Sequence, residues 1–180
     1  MPRKKRIWYP GASYHIMSRG NRKQNIFHDD EDRYIYLTKL LQAKERFDFS
    51  VYSYCLMTNH VHIQLQTNET EISTIMHYIN MAYTVYFNRK YELVGHLFQG
   101  RYRSELIENA MYNLEVSRYI HLNPVKAEMV TLPIEYPWSS YRNYLEGEDG
   151  ELISTNTILQ FFQHNPSLYQ MYVEYDLLET

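Results

Sequence analysis

The stretch DFSVYSYCLMTNHVHIQLQ, Asp48–Gln66, decides the fold. Its second half alternates: His60, His62, Gln64 and Gln66 fall on one side, and Val61, Ile63 and Leu65 on the other. That is the two-residue period of a strand. Its first half, Asp48–Met57, is rich in β-branched and aromatic residues and reads as a second strand. Thr58-Asn59 between them reads as a turn.

Working outward, Ser13–Arg19 (SYHIMSR) alternates between Pro10-Gly11 and Gly20-Asn21 and is expected to be the first strand. Asp29–Phe47 carries Tyr34, Leu37, Leu40, Leu41 and Ala43 at helical spacing, with the acids of Asp29–Asp32 at the end where a helix dipole favours them. Glu71–Tyr91 has Ile72, Ile75, Met76, Ile79, Tyr83 and Tyr86 in helical register. Beyond the glycine-bracketed loop GHLFQG (Gly95–Gly100), Arg101–Glu108 is expected to be the fourth strand, and Met111–Leu122 a helix stopped by Pro124. The first six elements follow the order strand, helix, strand, strand, helix, strand. This is an α+β, ferredoxin-like split βαβ pattern: a four-stranded antiparallel sheet with helices on one face, and one more helix after the fourth strand. The pattern changes after Pro133. Tyr136-Pro137-Trp138 reads as extended, Gly147–Gly150 as a charged turn, and Thr155–Gln163 and Ser167–Leu178 as short helices. Residues 1–130 are therefore expected to form the main domain, and 131–180 a small helical appendage packed on it, too short to build a core alone.

With 180 residues, 44% hydrophobic and 22% charged, the chain reads as globular. No apolar run reaches the length of a membrane span, and no apolar signal core follows the opening MPRKKR. The single cysteine, Cys55, excludes an internal disulfide and a cysteine zinc cluster. These features fit a reducing cytoplasm. The net charge of −3 argues weakly against a nucleic-acid partner, but its distribution reverses the argument. Met1–Asn25 carries Arg3, Lys4, Lys5, Arg6, Arg19, Arg22 and Lys23 without an acid, whereas Tyr144–Thr180 carries seven acids and no Lys or Arg. Without that tail, 18 basic residues face 14 acidic ones. Phosphate can be held at such a basic end while the whole chain stays soluble. The 19 tyrosines add aromatic faces that suit stacking on unpaired bases, although most such rings pack in cores.

Two residues apart on a strand, His60 and His62 project to one side and can present two nitrogens to one divalent ion. Spacing alone does not separate that from two surface histidines. Tyr119 and Asn123, four apart on a helix, share a face. A tyrosine hydroxyl can attack phosphorus, yet with a normal pKa near 10 it needs a cation or base beside it. Arg19, Asn21, Arg22 and Lys23 surround the turn after the first strand, where the basic side chains suit phosphate contacts. Arg101 and Arg103 alternate with Tyr102 and suit the same role or ordinary edge-strand charge. His15 is expected to line the same face as Met17 and Arg19, His121 to be structural, and His96 to approach substrate or cap a turn.

Four ordered motifs carry a resemblance: HIMSRGN (His15–Asn21), YCLMTNHVHIQL (Tyr54–Leu65), GHLFQGRYRS (Gly95–Ser104) and SRYIHLNPVKAEMV (Ser117–Val130), with PWSSY (Pro137–Tyr141) behind them. Together they resemble the IS200-type transposases, most of all the REP-associated tyrosine transposases, within the HUH nucleases. The resemblance implies that His60 and His62 are metal ligands, that Asn123 stands where relatives place an amide as third ligand, and that Tyr119 is the nucleophile. Tyr112 and Tyr102 rank behind it. It further implies Mg²⁺ or Mn²⁺ as cofactor and single-stranded or hairpin DNA as substrate. The chemistry would be cut-and-rejoin through a 5′-phosphotyrosine, and a homodimer is among the arrangements allowed. Competing readings are a non-catalytic or domesticated single-strand binder, as an RRM-like sheet would be, and a metal-dependent hydrolase using water.

Overall fold

The computed structural model describes residues 7–147 and 149–177; Arg3, Lys4, Lys5 and Arg6 of the basic start lie outside them. Four strands, β1 (Ser13–Arg19), β2 (Phe49–Leu56), β3 (His60–Thr67) and β4 (Arg103–Ile107), form one sheet in the order β2-β3-β1-β4 with every neighbouring pair antiparallel. The connections are α1 (Asp30–Phe47) between β1 and β2, and α2 (Ile72–Lys90) between β3 and β4. This is the ferredoxin-like α+β arrangement. After β4 comes α3 (Ala110–Lys126), then three shorter helices, α4 (Tyr141–Glu146), α5 (Asn156–Leu159) and α6 (Pro166–Glu174).

Helices cover both faces of the sheet, not one. Val61, Ile63 and Leu65 of β3 pack with Tyr36 and Leu40 of α1 and Ile75, Ile79 and Tyr83 of α2 in the larger core. On the opposite face Cys55, Met57 and Ile107 pack with Val116 and Ile120 of α3 and with Tyr136 in a second cluster. The alternation of β3 suggests an open polar face, but β2 does not alternate. Its last six residues, Val51–Leu56, are all buried, the pattern of a strand covered on both sides.

The start of α1 is set by Asp29, whose side chain accepts from the Asp32 backbone N–H while the Asp32 carboxylate accepts from that of Asp29. Buried Asp32 also accepts from Lys90, Tyr86 and Tyr91, so one carboxylate ties α1 to the end of α2. Asn109 caps α3 through the Tyr112 N–H. Pro124 does not stop α3, which continues to Lys126. Pro124 leaves one bond of the helix unmade and its ring crowds the preceding turn, yet the chain closes beyond it by Ala127 N–H to Asn123 O at 3.0 Å and Met129 N–H to Pro124 O at 2.9 Å. The fourth strand is shorter than expected, so Arg101 and Tyr102 precede it rather than lie in it.

The region after residue 130 packs on the sheet edge and on α3. Leu56 N–H donates to Trp138 O, Ser140 N–H to Tyr54 O, and Ser154 N–H to Val51 O. His121 of α3 is buried, with Nδ1 2.8 Å from the Tyr169 hydroxyl and Nε2 2.8 Å from Ser140 Oγ. Tyr141 and Tyr144 close around it. The short helix α4 follows Tyr136-Pro137-Trp138, which is extended only at Tyr136 and turns at Pro137 and Trp138; 3-10 turns at Gln160–Phe162 and Tyr175–Leu177 continue α5 and α6 to nearly their expected bounds. Among the described residues no helix is long and apolar enough to cross a membrane.

Candidate active site

Strand pairing places the polar side chains of one face in rows. His60 pairs with Arg19; His62 with Met17, and Met17 in turn with Arg103; Gln64 with His15, and His15 with Glu105. Partners directly opposite share a face, so three strands contribute to one surface beneath α3.

Tyr119 reaches that surface from α3. Its ring lies 5.6 Å from His62 and 5.7 Å from His15, edge-on to both, and the rings of His60 and His62 are 5.0 Å apart. The chain buries many of its tyrosines, and burial pushes phenols such as Tyr36, Tyr83 and Tyr169 far above their ordinary pKa. Tyr119 is 41% exposed, above histidines that are buried or half-buried. It borders a cavity of about 430 Å³ together with His15, His62, Arg103, Glu105 and Tyr112.

The histidines are held neutral by burial. Desolvation lowers the pKa of His15, against a smaller opposing effect of the Glu105 charge, and lowers that of His60, where the Arg19 charge adds to it. His62 is pushed down to about 3 by burial, then by His15 and His60. A neutral imidazole has one lone-pair nitrogen, and its neighbours decide which. Asn59 Nδ2 donates to Lys23 O at 3.1 Å, so its Oδ1, 2.7 Å from His60 Nδ1, is an acceptor. His60 therefore carries its proton on Nδ1 and leaves Nε2 free. His62 Nδ1 is 2.9 Å from His15 Nε2, so the Nε2 of His62 is also turned away from its internal partner.

Whether these groups suit a divalent ion follows from the donors. Among the described residues no three His, Cys, Asp or Glu side chains are arranged to hold a metal. Two outward Nε2 atoms remain, and a third donor has to be an amide or a substrate oxygen. Asn123, expected as the amide donor, gives Nδ2 to Tyr119 O at 2.8 Å, so Oδ1 is the end of its amide that can accept. Two imidazoles, an amide oxygen and phosphate oxygens fit Mn²⁺ or Mg²⁺ and do not fit a closed structural zinc site.

The expected DNA contacts divide. Arg19 is beside His60, and its Nε is buried without a partner. Asn21, Arg22 and Lys23 form a single 3-10 turn next to it, with Arg22 and Lys23 at φ 51° and 64°. That turn is braced by the GHLFQG loop, through Asn21 N–H to Leu97 O and Gln99 N–H to Arg19 O, both 2.8 Å. Arg101 and Arg103 line a larger groove of about 1090 Å³ with Trp8, Arg19 and Tyr102. It meets the Tyr119 cavity at Met17, Arg103 and Glu105. His121 faces the appendage and not this surface. His96 borders a depression against α2 that adjoins the groove at Ser73, Gly100, Arg101 and Tyr102 and does not include the Tyr119 cavity residues.

Two site residues escape the sequence reading. Lys126 Nζ lies 5.0 Å from the centre of the Tyr119 ring. Tyr112, Tyr119 and Lys126 recur every seven residues, which places them on one helical face; the signal was present, but hidden by the expected stop at Pro124. Asn59, taken only as a turn residue, fixes the His60 tautomer.

A family model described as "Transposase IS200 like" matches residues 9–123. The span runs from before β1 to Asn123 and includes all the histidines and the tyrosine just described. Among solved structures, a REP-associated tyrosine transposase bound to a REP hairpin superposes with TM-score 0.69 at 18% identity, covering 86% of this chain and 92% of that one. A tRNA(His) guanylyltransferase from Saccharomyces cerevisiae superposes with TM-score 0.50 at 8% identity, covering 99% and 76%. At such identities the superpositions show a likeness of fold alone. None of the curated proteins matches the chain.

Proposed function

The chain belongs to the IS200-like transposase family, and from that premise we propose that it is a metal-dependent single-stranded DNA endonuclease and strand transferase that acts at hairpin-bearing sites. The observation that carries this reading is the exposed Tyr119 phenol set edge-on against His62 within one chain. A nucleophile and its ligand histidines from the same chain support a site complete in the monomer. The likeness to a hairpin-bound REP-associated transposase supports hairpin DNA as the partner.

In this mechanism the strand enters along the groove of Arg19, Arg101 and Arg103, whose guanidinium groups hold phosphates without reading sequence. The turn of Asn21, Arg22 and Lys23 adds contacts beside His60. His60 and His62, through Nε2, and Asn123, through Oδ1, would hold Mg²⁺ or Mn²⁺, which when bound supplies Lewis acidity at the scissile phosphate. Tyr119 Oη attacks phosphorus in line and loses its proton to solvent. The bond from phosphorus to the 3′-oxygen breaks, leaving a 5′-phosphotyrosine and a free 3′-hydroxyl. Lys126 Nζ lies 5.0 Å from the centre of the Tyr119 ring and puts a positive charge beside the reacting phenol. The phosphodiester is exchanged for another phosphate ester, so a second 3′-hydroxyl can reverse the step without ATP.

The test is a denaturing gel with a labelled hairpin carrying a single-stranded flank. Wild type with Mn²⁺ should give a protein–DNA band that chelation abolishes, with hairpin binding largely kept. Tyr119→Phe should give no band, and Lys126→Met a slower one. Cleavage that persists in Tyr119→Phe would assign the reaction to water and overturn the proposal.

A further inference from the structure

Resting on the reading above, we infer that His15 is a positioning residue: it accepts a hydrogen bond from His62 Nδ1–H and so keeps His62 Nε2 unprotonated and facing the metal and the scissile phosphate. The contact is direct, with His15 Nε2 2.9 Å from His62 Nδ1 and the two rings stacked at 5.2 Å, 25° from parallel. Geometry alone permits either nitrogen to be the donor. The ligand reading of His62 chooses: a lone pair on His62 Nε2 places its proton on Nδ1, so His62 donates across the 2.9 Å contact and His15 Nε2 accepts. The proton of His15 then sits on Nδ1. His62 Nε2 is left as a donor atom for a cation. The opposite arrangement would put the proton of His62 on Nε2 and disable it as a ligand.

The same logic operates on the other ligand, where Asn59 holds the His60 proton on Nδ1. The two ligands thus stand on different supports, an amide from the turn before β3 and an imidazole from β1. His15 has a second consequence: its ring is also 5.7 Å from Tyr119, so the side chain that orients the ligand also walls the nucleophile. Its place at the centre of the sheet, between β3 and β4, fixes it better than a loop would.

The experiment uses the full chain and has two readouts. The first is Mn²⁺ affinity by calorimetry and electron paramagnetic resonance for wild type, His15→Leu, His15→Gln and His60→Ala, each checked for folding by circular dichroism. Loss of an outer partner of a ligand histidine weakens binding by about 10- to 100-fold. His15→Leu should fall in that range, and His15→Gln, whose amide oxygen can accept, should recover most of the affinity. The second readout is the tautomer of His62 in metal-free protein by long-range ¹H–¹⁵N correlation, expected to show Nδ1 protonated. Unchanged affinity in His15→Leu, equal loss in both His15 variants, or protonation of His62 Nε2 would each overturn the inference. If wild type and His60→Ala alike take up no Mn²⁺, the metal reading itself fails and this inference with it. If only His60→Ala loses the ion while His15→Leu does not, this inference alone fails.

Discussion

Acid should loosen the junction between α3 and the C-terminal region, and His121 sets the size of the effect. This imidazole has no exposed surface and is pushed down from 6.5 to about 3 by burial alone. The unfolded chain binds its proton near pH 6.5 and the folded chain does not, so the contribution is full above 6.5 and falls as pH drops toward 3. At pH 5 the unfolded state gains about 2 kcal/mol from this one group. A His121→Gln variant removes the titration while losing part of the bonding to Tyr169 and Ser140. It should be less stable than wild type by about 1–3 kcal/mol at neutral pH. Urea melts of both proteins at pH 7.5 and pH 5 measure the gap, and the gap should narrow by about 2 kcal/mol on acidification. The carboxylates common to both proteins cancel in that difference. A gap that does not change with pH would mean that His121 takes up its proton in the folded state, and that the appendage does not seal it.

Two further outcomes concern the turn beside His60. A Cβ at Gly20 would collide with the Gln24 carbonyl oxygen and lie 2.9 Å from Ile26 Cγ2, so Gly20→Ala should destabilise by about 1–3 kcal/mol in thermal melts and weaken hairpin binding by displacing Arg22 and Lys23. Arg22 sits at φ 51° and is exposed, so Arg22→Gly should leave stability unchanged or raised by up to about 1 kcal/mol, while the slope of log binding constant against log salt falls by about one; an unchanged slope removes Arg22 from the DNA contacts.

The sheet was legible because its strands alternate or are bracketed by glycine and proline; β1 matches its expected bounds, and β3 extends one residue further, to Thr67. What sequence hid was the second covered face. The polar row of β3 reads as solvent-facing, whereas His62 and Gln64 are buried, and Gln64 is satisfied by Ser53 and Asn113. One-strand periodicity cannot distinguish a wet polar face from one whose polar atoms are paired under a helix. The helix end differs as well: Pro124 reads as a stop, but the turn closes beyond it through Ala127 N–H to Asn123 O and Met129 N–H to Pro124 O. Tyr119, His60 and His62 were legible as candidates from spacing and resemblance. Their convergence, and the parts of His15, Asn59 and Lys126, depend on cross-strand register and on the course of α3, which no local pattern encodes.

The most direct measurement is the identity of the residue that carries DNA after cleavage. Wild type should be incubated with Mn²⁺ and a hairpin substrate, digested with nuclease and protease, and its peptides sequenced by mass spectrometry. A nucleotide joined through its 5′-phosphate to Tyr119 is the expected result. A nucleotide on Tyr112 or Tyr102, or a cleaved strand with a free 5′-phosphate and no modified peptide, would contradict it.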